Sequence, residues 1–282
     1  MEIKTVGVVG CGIMGAGIAQ VSAQSGYKVI VSEINEGLLE KGLVSIEKAL
    51  NMLVRKEKIY QEERDTIRGR IEGTVGIDDL SECDVVIEAA TENLELKKEV
   101  FATLDSICPK DTILATNTSS MCIIEIAAAS SRLDKVVGVH FFNPAPVMRL
   151  LEIVRTIATS DETLKTIVTF GESLGKRIVV AKDTPGFIVN RLLTPFTLNA
   201  IRMLESGIAT RDDIDNAVRL GLGHPMGPLE LADLIGLDTI YHSANARYEE
   251  LKEAQYAPPP LLKRMVKANW VGRKAGKGFY DY

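Results

Sequence analysis

Histidine is the side chain best matched to proton transfer near neutral pH, and the chain has three of them, His140, His224 and His242. His140 directly follows an apolar, β-branched run, Lys135-Val136-Val137-Gly138-Val139. It therefore falls at the carboxyl end of an expected strand, where ligands lie in open α/β sheets. His224 sits in a Gly-Leu-Gly-His-Pro turn and His242 in a helix-like stretch, and both positions suit structural roles better. Position alone leaves His140 open between a proton carrier and a packed ring.

A second group of residues has phosphate chemistry. Gly10-Cys11-Gly12-Ile13-Met14-Gly15 is a G-x-G-x-x-G run set between a strand-like segment, Val6-Gly7-Val8-Val9, and a helix-like one. Gly10 suits the tight turn, Gly12 lets backbone approach a pyrophosphate, and Gly15 allows close helix–strand packing. The helix start then offers unpaired N–H groups and a partial positive charge. Ile13 also reads as core packing under the loop. Glu33 ends the next strand-like run, 21 residues past Gly12, where a carboxylate can accept hydrogen bonds from a ribose 2′-hydroxyl. It would repel a 2′-phosphate, and Ile34 and Asn35 bring no arginine to reverse that. NAD is therefore expected in preference to NADP.

The elements that must position these groups follow from periodicity. Short β-branched runs at 6–9, 28–31, 84–87, 112–115 and 135–139 read as buried strands. Amphipathic stretches at 15–25, 36–55 and 96–107 alternate with them, which predicts a parallel sheet covered on both faces. The fold class is thus α/β, a Rossmann-like doubly wound sheet. The segment 36–70 is too long and too charged for one crossover helix, with Lys48, Arg55, Lys56, Lys58, Arg64, Arg68 and Arg70. It is expected to form a projecting helical hairpin, either a solvated surface or a cation cluster for a ligand's phosphates. After Glu152 another βα-like unit follows, and Pro185-Gly186 then punctuate the chain. Residues 1–184 are read as the NAD-binding domain and 185–282 as a smaller, all-helical domain. Within the latter, 187–204 reads as a buried helix kinked at Pro195, and Thr210-Arg211-Asp212-Asp213 resembles a capping box with Asp in place of Glu or Gln.

With these elements in view, the chain resembles the L-3-hydroxyacyl-CoA dehydrogenase family. The likeness rests on His140-Phe141-Phe142-Asn143-Pro144 with Glu152 beyond it, on Asn117-Thr118-Ser119-Ser120, on the run from Asp183 to Arg191, on the run from Gly227 to Asp238, and on Lys274-Ala275-Gly276-Lys277-Gly278-Phe279-Tyr280. These motifs span the chain in order. The resemblance implies NAD-dependent interconversion of a short-chain 3-hydroxyacyl and 3-oxoacyl thioester of coenzyme A, with (S)-3-hydroxybutyryl-CoA and acetoacetyl-CoA the nearest match. It implies His140 as general acid/base, Glu152 as its orienting partner, and Ser119 and Asn190 as hydrogen-bond partners of the reacting oxygen. Gly10, Gly12, Ile13, Met14, Gly15, Glu33, Glu92, Lys97, Asn117, Ser119, Asn143 and Lys274 fall on its cofactor positions, and Lys56 approximates a lysine that faces coenzyme A. It also implies a homodimer formed through the C-terminal helical domain.

Three other readings compete. A dehydrogenase of a free hydroxy acid, of the L-gulonate type, shares the glycine loop and the His–Glu pair, and the long basic hairpin favours the CoA ester over it. A β-hydroxyacid dehydrogenase with a catalytic lysine lacks its lysine signature here. A non-catalytic nucleotide-binding protein of this fold would not need Ser119, His140, Glu152 and Asn190 together. Bulk properties narrow the partners: a net charge of −5 with mixed signs gives no footprint for nucleic acid, and no apolar run reaches membrane-span length. Cys11, Cys83, Cys108 and Cys122 form no C-x-x-C pair and read as reduced thiols, so a cytoplasmic location is expected, in a prokaryotic setting.

Overall fold

The computed structural model describes residues 2–282. The chain divides into two compact units, one ending at Thr184 and the other running Pro185–Tyr282. In the first, eight strands share one sheet: β1 (Thr5–Val9), β2 (Lys28–Ser32), β3 (Ile71–Thr74), β4 (Val85–Glu88), β5 (Ile113–Thr116), β6 (Val136–Phe141), β7 (Leu150–Arg155) and β8 (Arg177–Lys182). Their spatial order is β3-β2-β1-β4-β5-β6-β7-β8. The order reverses between β1 and β4, the switch point at which open α/β sheets leave a crevice for ligands. Val6, Val8, Val85, Val86 and Ile87 are all fully buried, as strands covered on both faces require, and each such side chain contributes roughly 1.5–3 kcal/mol.

The five expected strands form, with His140 inside β6 rather than just beyond it. The expectation of a wholly parallel sheet is corrected at one place: β7 runs antiparallel to β6, whereas β8 returns parallel to β7. The βα-like unit expected after Glu152 is the end of β7 with the helix 161–173, followed by β8, and β3 has no counterpart among the expected strands.

Between the strands lie α1 (Ile13–Gln24), α2 (Glu36–Arg55), α3 (Gln61–Gly69), α4 (Leu94–Ile107), α5 (Ile123–Ala127) and α6 (Asp161–Ser173). The hairpin is α2 and α3. Asn35 caps α2 by accepting the Leu38 N–H at 2.9 Å, and the stripe Leu39, Gly42, Ile46 and Leu50 is buried in the sheet's own core. A Cβ added to Gly42 would overlap Cys11, so the hairpin's base lies directly beneath the glycine loop. Its charged face is the one left to solvent.

The second unit is helical: α7 (Val189–Glu205), α8 (Arg211–Leu222), α9 (Pro228–Ile235), α10 (Leu237–Leu251) and α11 (Pro260–Lys267). They enclose their own core, including Leu198, Ile201, Leu229, Ala232, Leu237 and Leu262. α7 runs through Pro195 as one helix. Thr210 caps α8 by accepting the Asp213 N–H. Asp213 answers through the Thr210 hydroxyl, which donates to its carboxylate at 2.6 Å, so the side chains pair directly. Asp233 gathers the C-terminal segment, accepting from the Phe279 and Tyr280 N–H groups at 2.9 Å each.

Candidate active site

The antiparallel step in the sheet creates the chemical pair. In the β6–β7 register His140 stands opposite Glu152, so both side chains leave the same face of the sheet. His140 Nδ1 lies 2.6 Å from Glu152 Oε2, the length of a charge-assisted bond. The ring is 5% exposed and the carboxylate 0%. An ionised carboxylate only accepts, so Nδ1 carries the proton and exchange with a substrate falls to Nε2. Phe142 packs against the imidazole at 4.5 Å between centroids. The connection after β6 is fixed by Lys176, whose buried ammonium donates to the Ala145 and Met148 carbonyls at 2.5 and 2.8 Å. Burial pushes that ammonium's pKa down. Asn143, joined to Pro144 by a cis peptide, is exposed in the same connection.

The glycine loop behaves as its sequence predicts. Gly10 holds φ +94°, in the left-handed region that favours glycine, and its N–H donates to the Ser32 carbonyl at 2.8 Å. A Cβ on Gly15 would collide with the Gly10 carbonyl, whereas one on Gly12 would meet nothing within 4 Å. The space beside Gly12 is thus open, at the start of a helix with no acid in its first turn. That combination fits a pyrophosphate. Glu33 closes the loop's other side, accepting from the Cys11 and Ile34 N–H groups at 2.8 Å each. Ile13 is 78% exposed, which overturns its reading as core packing under the loop; Met14 is the residue that packs on the core.

A third cluster lies at the ends of β4 and β5. Glu92 accepts from the Thr118 hydroxyl at 3.0 Å, from the Ser119 N–H at 2.9 Å and from the Ser119 hydroxyl at 3.3 Å. Lys97 is buried with its ammonium 2.7 Å from Glu88 and 3.5 Å from Glu92, so it braces this loop from within the fold. Asn117 Oδ1 accepts the Phe141 N–H at 2.9 Å, tying the Ser119 loop to the strand that carries His140. Glu88 is fully buried and also accepts from Thr116 at 2.7 Å. It is a site-supporting residue missed in the sequence, although, like Glu33, it is an acid ending a strand beside β1.

The remaining candidates are carried by other elements. Lys56 is exposed at the C-terminal end of α2, with Lys48 on the same helix also exposed. Arg64 and Arg68 instead bind within the hairpin, to Asn51 and Asp65 and to Glu47. In the second unit Asn190 opens α7, and Lys274 donates to Asp238 at 2.7 Å. Burial pushes the Asp238 carboxyl up, but the Lys274 bond and the Thr239 N–H outweigh it and hold its pKa below the usual range.

Thiolate chemistry is disfavoured. Burial raises the Cys11 thiol to about 11, with Glu33 adding to the effect, and burial raises Cys83 to about 12, so neither is a nucleophile near neutral pH. Among the described residues no cluster of histidine, cysteine, aspartate and glutamate is arranged to hold a metal ion. Among the described residues no helix is long and apolar enough to cross a membrane.

The chain is similar to known proteins along its whole length. A family model described as 3-hydroxyacyl-CoA dehydrogenase, NAD binding domain, matches residues 5–184, and one described as the C-terminal domain of the same enzyme matches 186–282. A 3-hydroxybutyryl-CoA dehydrogenase of Mycobacterium tuberculosis is 48% identical over 282 residues, covering 99% of each chain. A probable 3-hydroxybutyryl-CoA dehydrogenase of Bacillus subtilis is 45% identical, covering 100% of this chain and 98% of its own. The crystal structure of an (S)-3-hydroxybutyryl-CoA dehydrogenase from Ralstonia eutropha superposes with a TM-score of 0.97 at 42% identity, covering 100% of this chain and 99% of the other.

Proposed function

Because the chain belongs to the NAD-dependent 3-hydroxyacyl-CoA dehydrogenase family, we propose that it interconverts (S)-3-hydroxybutyryl-CoA and acetoacetyl-CoA. The observation that carries this reading is the buried His140–Glu152 pair, set in the same sheet as the glycine loop. Bound NAD would supply the hydride acceptor, and NADH the hydride donor. In oxidation, His140 takes the hydroxyl proton at Nε2 while Glu152 stabilises the imidazolium that forms. In reduction, the imidazolium returns that proton to the oxygen. Ser119 and Asn190 are neutral hydrogen-bonding groups for that oxygen and can hold hydroxyl or ketone. Glu92 orients the Ser119 hydroxyl, and Lys97 with Glu88 fixes Glu92.

Gly10, Gly12, Ile13, Met14 and Gly15 serve the pyrophosphate side of the cofactor and Glu33 its ribose. Asn117, Asn143 and Lys274 serve the cofactor as well. Lys56 meets the phosphates of coenzyme A, a role in keeping with its exposure. A homodimer through the helical unit accounts for the apolar side chains this unit leaves exposed, among them Leu192, Ile208, Leu220 and Leu222. Four free cysteines suit a reducing compartment, and we assign the protein to the cytoplasm.

Oxidation of NADH by the purified protein with acetoacetyl-CoA, set against free acetoacetate, tests the proposal. Turnover of the thioester alone is expected. Equal turnover of the free acid would move the activity to hydroxy acids. No turnover of either would leave a nucleotide-binding protein without catalysis.

A further inference from the structure

Asp183 directly follows β8 and stands next to Thr184, where the first unit ends. Its carboxylate reaches back 60 residues to the start of α5. Oδ1 accepts from the Ile123 N–H at 2.9 Å and Oδ2 from the Ile124 N–H at 2.8 Å. The Cys122 thiol also donates to Oδ2, at 3.6 Å. Burial raises that thiol to about 11, and the Asp183 charge adds to the effect, so it stays a neutral donor. Cys122 holds the N-cap position of α5 but caps nothing with its own side chain. The first N–H groups of a helix are usually satisfied by a Ser, Thr, Asp or Asn at that position. Here a remote carboxylate takes them, and a remote cap ties the helix to whatever holds that carboxylate.

What holds it is the strand of Glu152. The Asp183 N–H donates to the Arg155 carbonyl at 3.0 Å, and Glu152 lies three residues earlier on β7. The start of α5 also rests on β6. A Cβ on Gly138 would overlap Ile123 and Val154, and Ile123 is fully buried. Gly138 and His140 are alternate residues of β6 and face the same side of the sheet. Helix α5 therefore begins on the sheet face that carries the His140–Glu152 pair.

The Ser119 loop runs from the end of β5 into α5, so this helix start is its downstream anchor. Asn117, bonded to the Phe141 N–H, is the upstream one. Between them Glu92 holds Ser119, and the Thr118 hydroxyl accepts the Met121 N–H at 3.2 Å. The loop is thus fastened at both ends to the strand of His140, with Asp183 as the clamp on the downstream side.

We propose that Asp183 is a positioning residue for the Ser119 hydroxyl: by clamping the start of α5 to β7, it sets where the loop presents that hydroxyl relative to His140. The inference rests on the dehydrogenase reading above and on Ser119 as a partner of the reacting oxygen. In this role Asp183 acts through the loop alone and exchanges no proton.

Reduction of acetoacetyl-CoA by NADH in the full-length protein tests the proposal. Asp183→Asn keeps one oxygen for a single N–H and turns its NH2 toward the other. It should lower kcat on the order of tenfold or more, since a displacement of about 1 Å at a reacting group costs roughly 10²-fold. In a Ser119→Ala background the same substitution should add little, because the hydroxyl it positions is gone. Adding Cys122→Ser to Asp183→Asn gives α5 a local cap. That cap should restore the melting temperature without restoring kcat, and it supplies a folded variant if Asp183→Asn alone is unstable. Recovery of kcat along with stability would show that Asp183 only caps the helix, and the inference falls. It also falls if Asp183→Asn costs as much without the Ser119 hydroxyl as with it. Wild-type kcat in Asp183→Asn, with Ser119→Ala slowed, overturns this inference alone. Wild-type kcat in Ser119→Ala removes the role of Ser119 and this inference with it, and leaves the proton chemistry of His140 standing. No turnover of acetoacetyl-CoA by the wild type defeats the dehydrogenase reading itself.

Discussion

His140 and Glu152 meet as directly opposed residues of an antiparallel strand pair, with 2.6 Å between Nδ1 and Oε2. Backbone register, rather than a flexible loop, sets their separation. Both strands lie inside the sheet, β6 between β5 and β7 and β7 between β6 and β8, so neither residue can withdraw without breaking a ladder. Such rigidity suits a proton carrier whose ring must present the same nitrogen in every turnover.

Glu152→Gln isolates the charge in this pair. The amide oxygen can still accept from Nδ1, so the ring's orientation survives while the stabilisation of imidazolium is lost. Ketone reduction should slow, and its decline with rising pH should begin at lower pH than in the wild type. A pH–rate profile for kcat/KM reads both effects. Unchanged rate and profile together would show that the two residues do not work as a pair.

The glycine loop gives a contrast between two neighbouring substitutions. Gly12→Val places its side chain in open space, so it should leave the melting temperature nearly unchanged while raising KM for NADH roughly tenfold or more by blocking the close approach of a pyrophosphate. Gly15→Ala forces a Cβ against the Gly10 carbonyl and should cost about 1–3 kcal/mol of stability. Calorimetry beside NADH titration separates the two. Similar behaviour of both variants would sink the assignment of Gly12 to ligand approach.

Much of this was legible in the chain, and the exceptions have physical causes. The loop from Gly10 to Gly15, Glu33 and the buried runs of β1 and β4 carry strong local signals. The antiparallel course of β7 does not, since Leu-Leu-Glu-Ile-Val-Arg has the β-branched character of a parallel strand and the connection before it lacks a tight hairpin turn. β3, Ile-Glu-Gly-Thr with two exposed residues, is too short and polar to stand out. Lys97 falls by resemblance on a cofactor position, and its sequence neighbours give no sign of the buried contacts it makes with Glu88 and Glu92. Arg247 belongs, by its sequence neighbours Tyr248, Glu249 and Glu250, to an apparently solvated helix face, and only the packing of α7 and α10 reveals its burial.

Cofactor choice tests Glu33. Its carboxylate, fixed by two backbone N–H groups, would stand close to a 2′-phosphate, a repulsion of about 1–4 kcal/mol. NADH should therefore exceed NADPH in kcat/KM, and Glu33→Ala should narrow the gap. Equal use of the two cofactors by the wild type would refute the assignment.

Acid stability of the first unit should depend on Asp105. Burial raises its carboxyl, but the Ser131 N–H and Arg132 outweigh that and hold its pKa below the ordinary value. A depressed pKa contributes stability above the unfolded value, and that stability fades as pH falls through the folded one. Asp105→Asn should lower stability by about 2 kcal/mol at neutral pH, because Arg132 is buried beside it. The deficit should shrink as pH drops below about 4. Melting curves of both proteins across that range check the sign, and a deficit that grows on acidification would contradict it.

The most direct measurement is NADH-dependent reduction of acetoacetyl-CoA by the wild type beside His140→Gln. If His140 supplies the proton, turnover should fall by roughly 10²–10⁴-fold, the scale of losing a general acid. NADH binding, followed separately by fluorescence, should be unchanged, since the glycine loop and Glu33 are untouched. A variant that reduces acetoacetyl-CoA at the wild-type rate would contradict the account at its centre, and the proton carrier would have to be another residue.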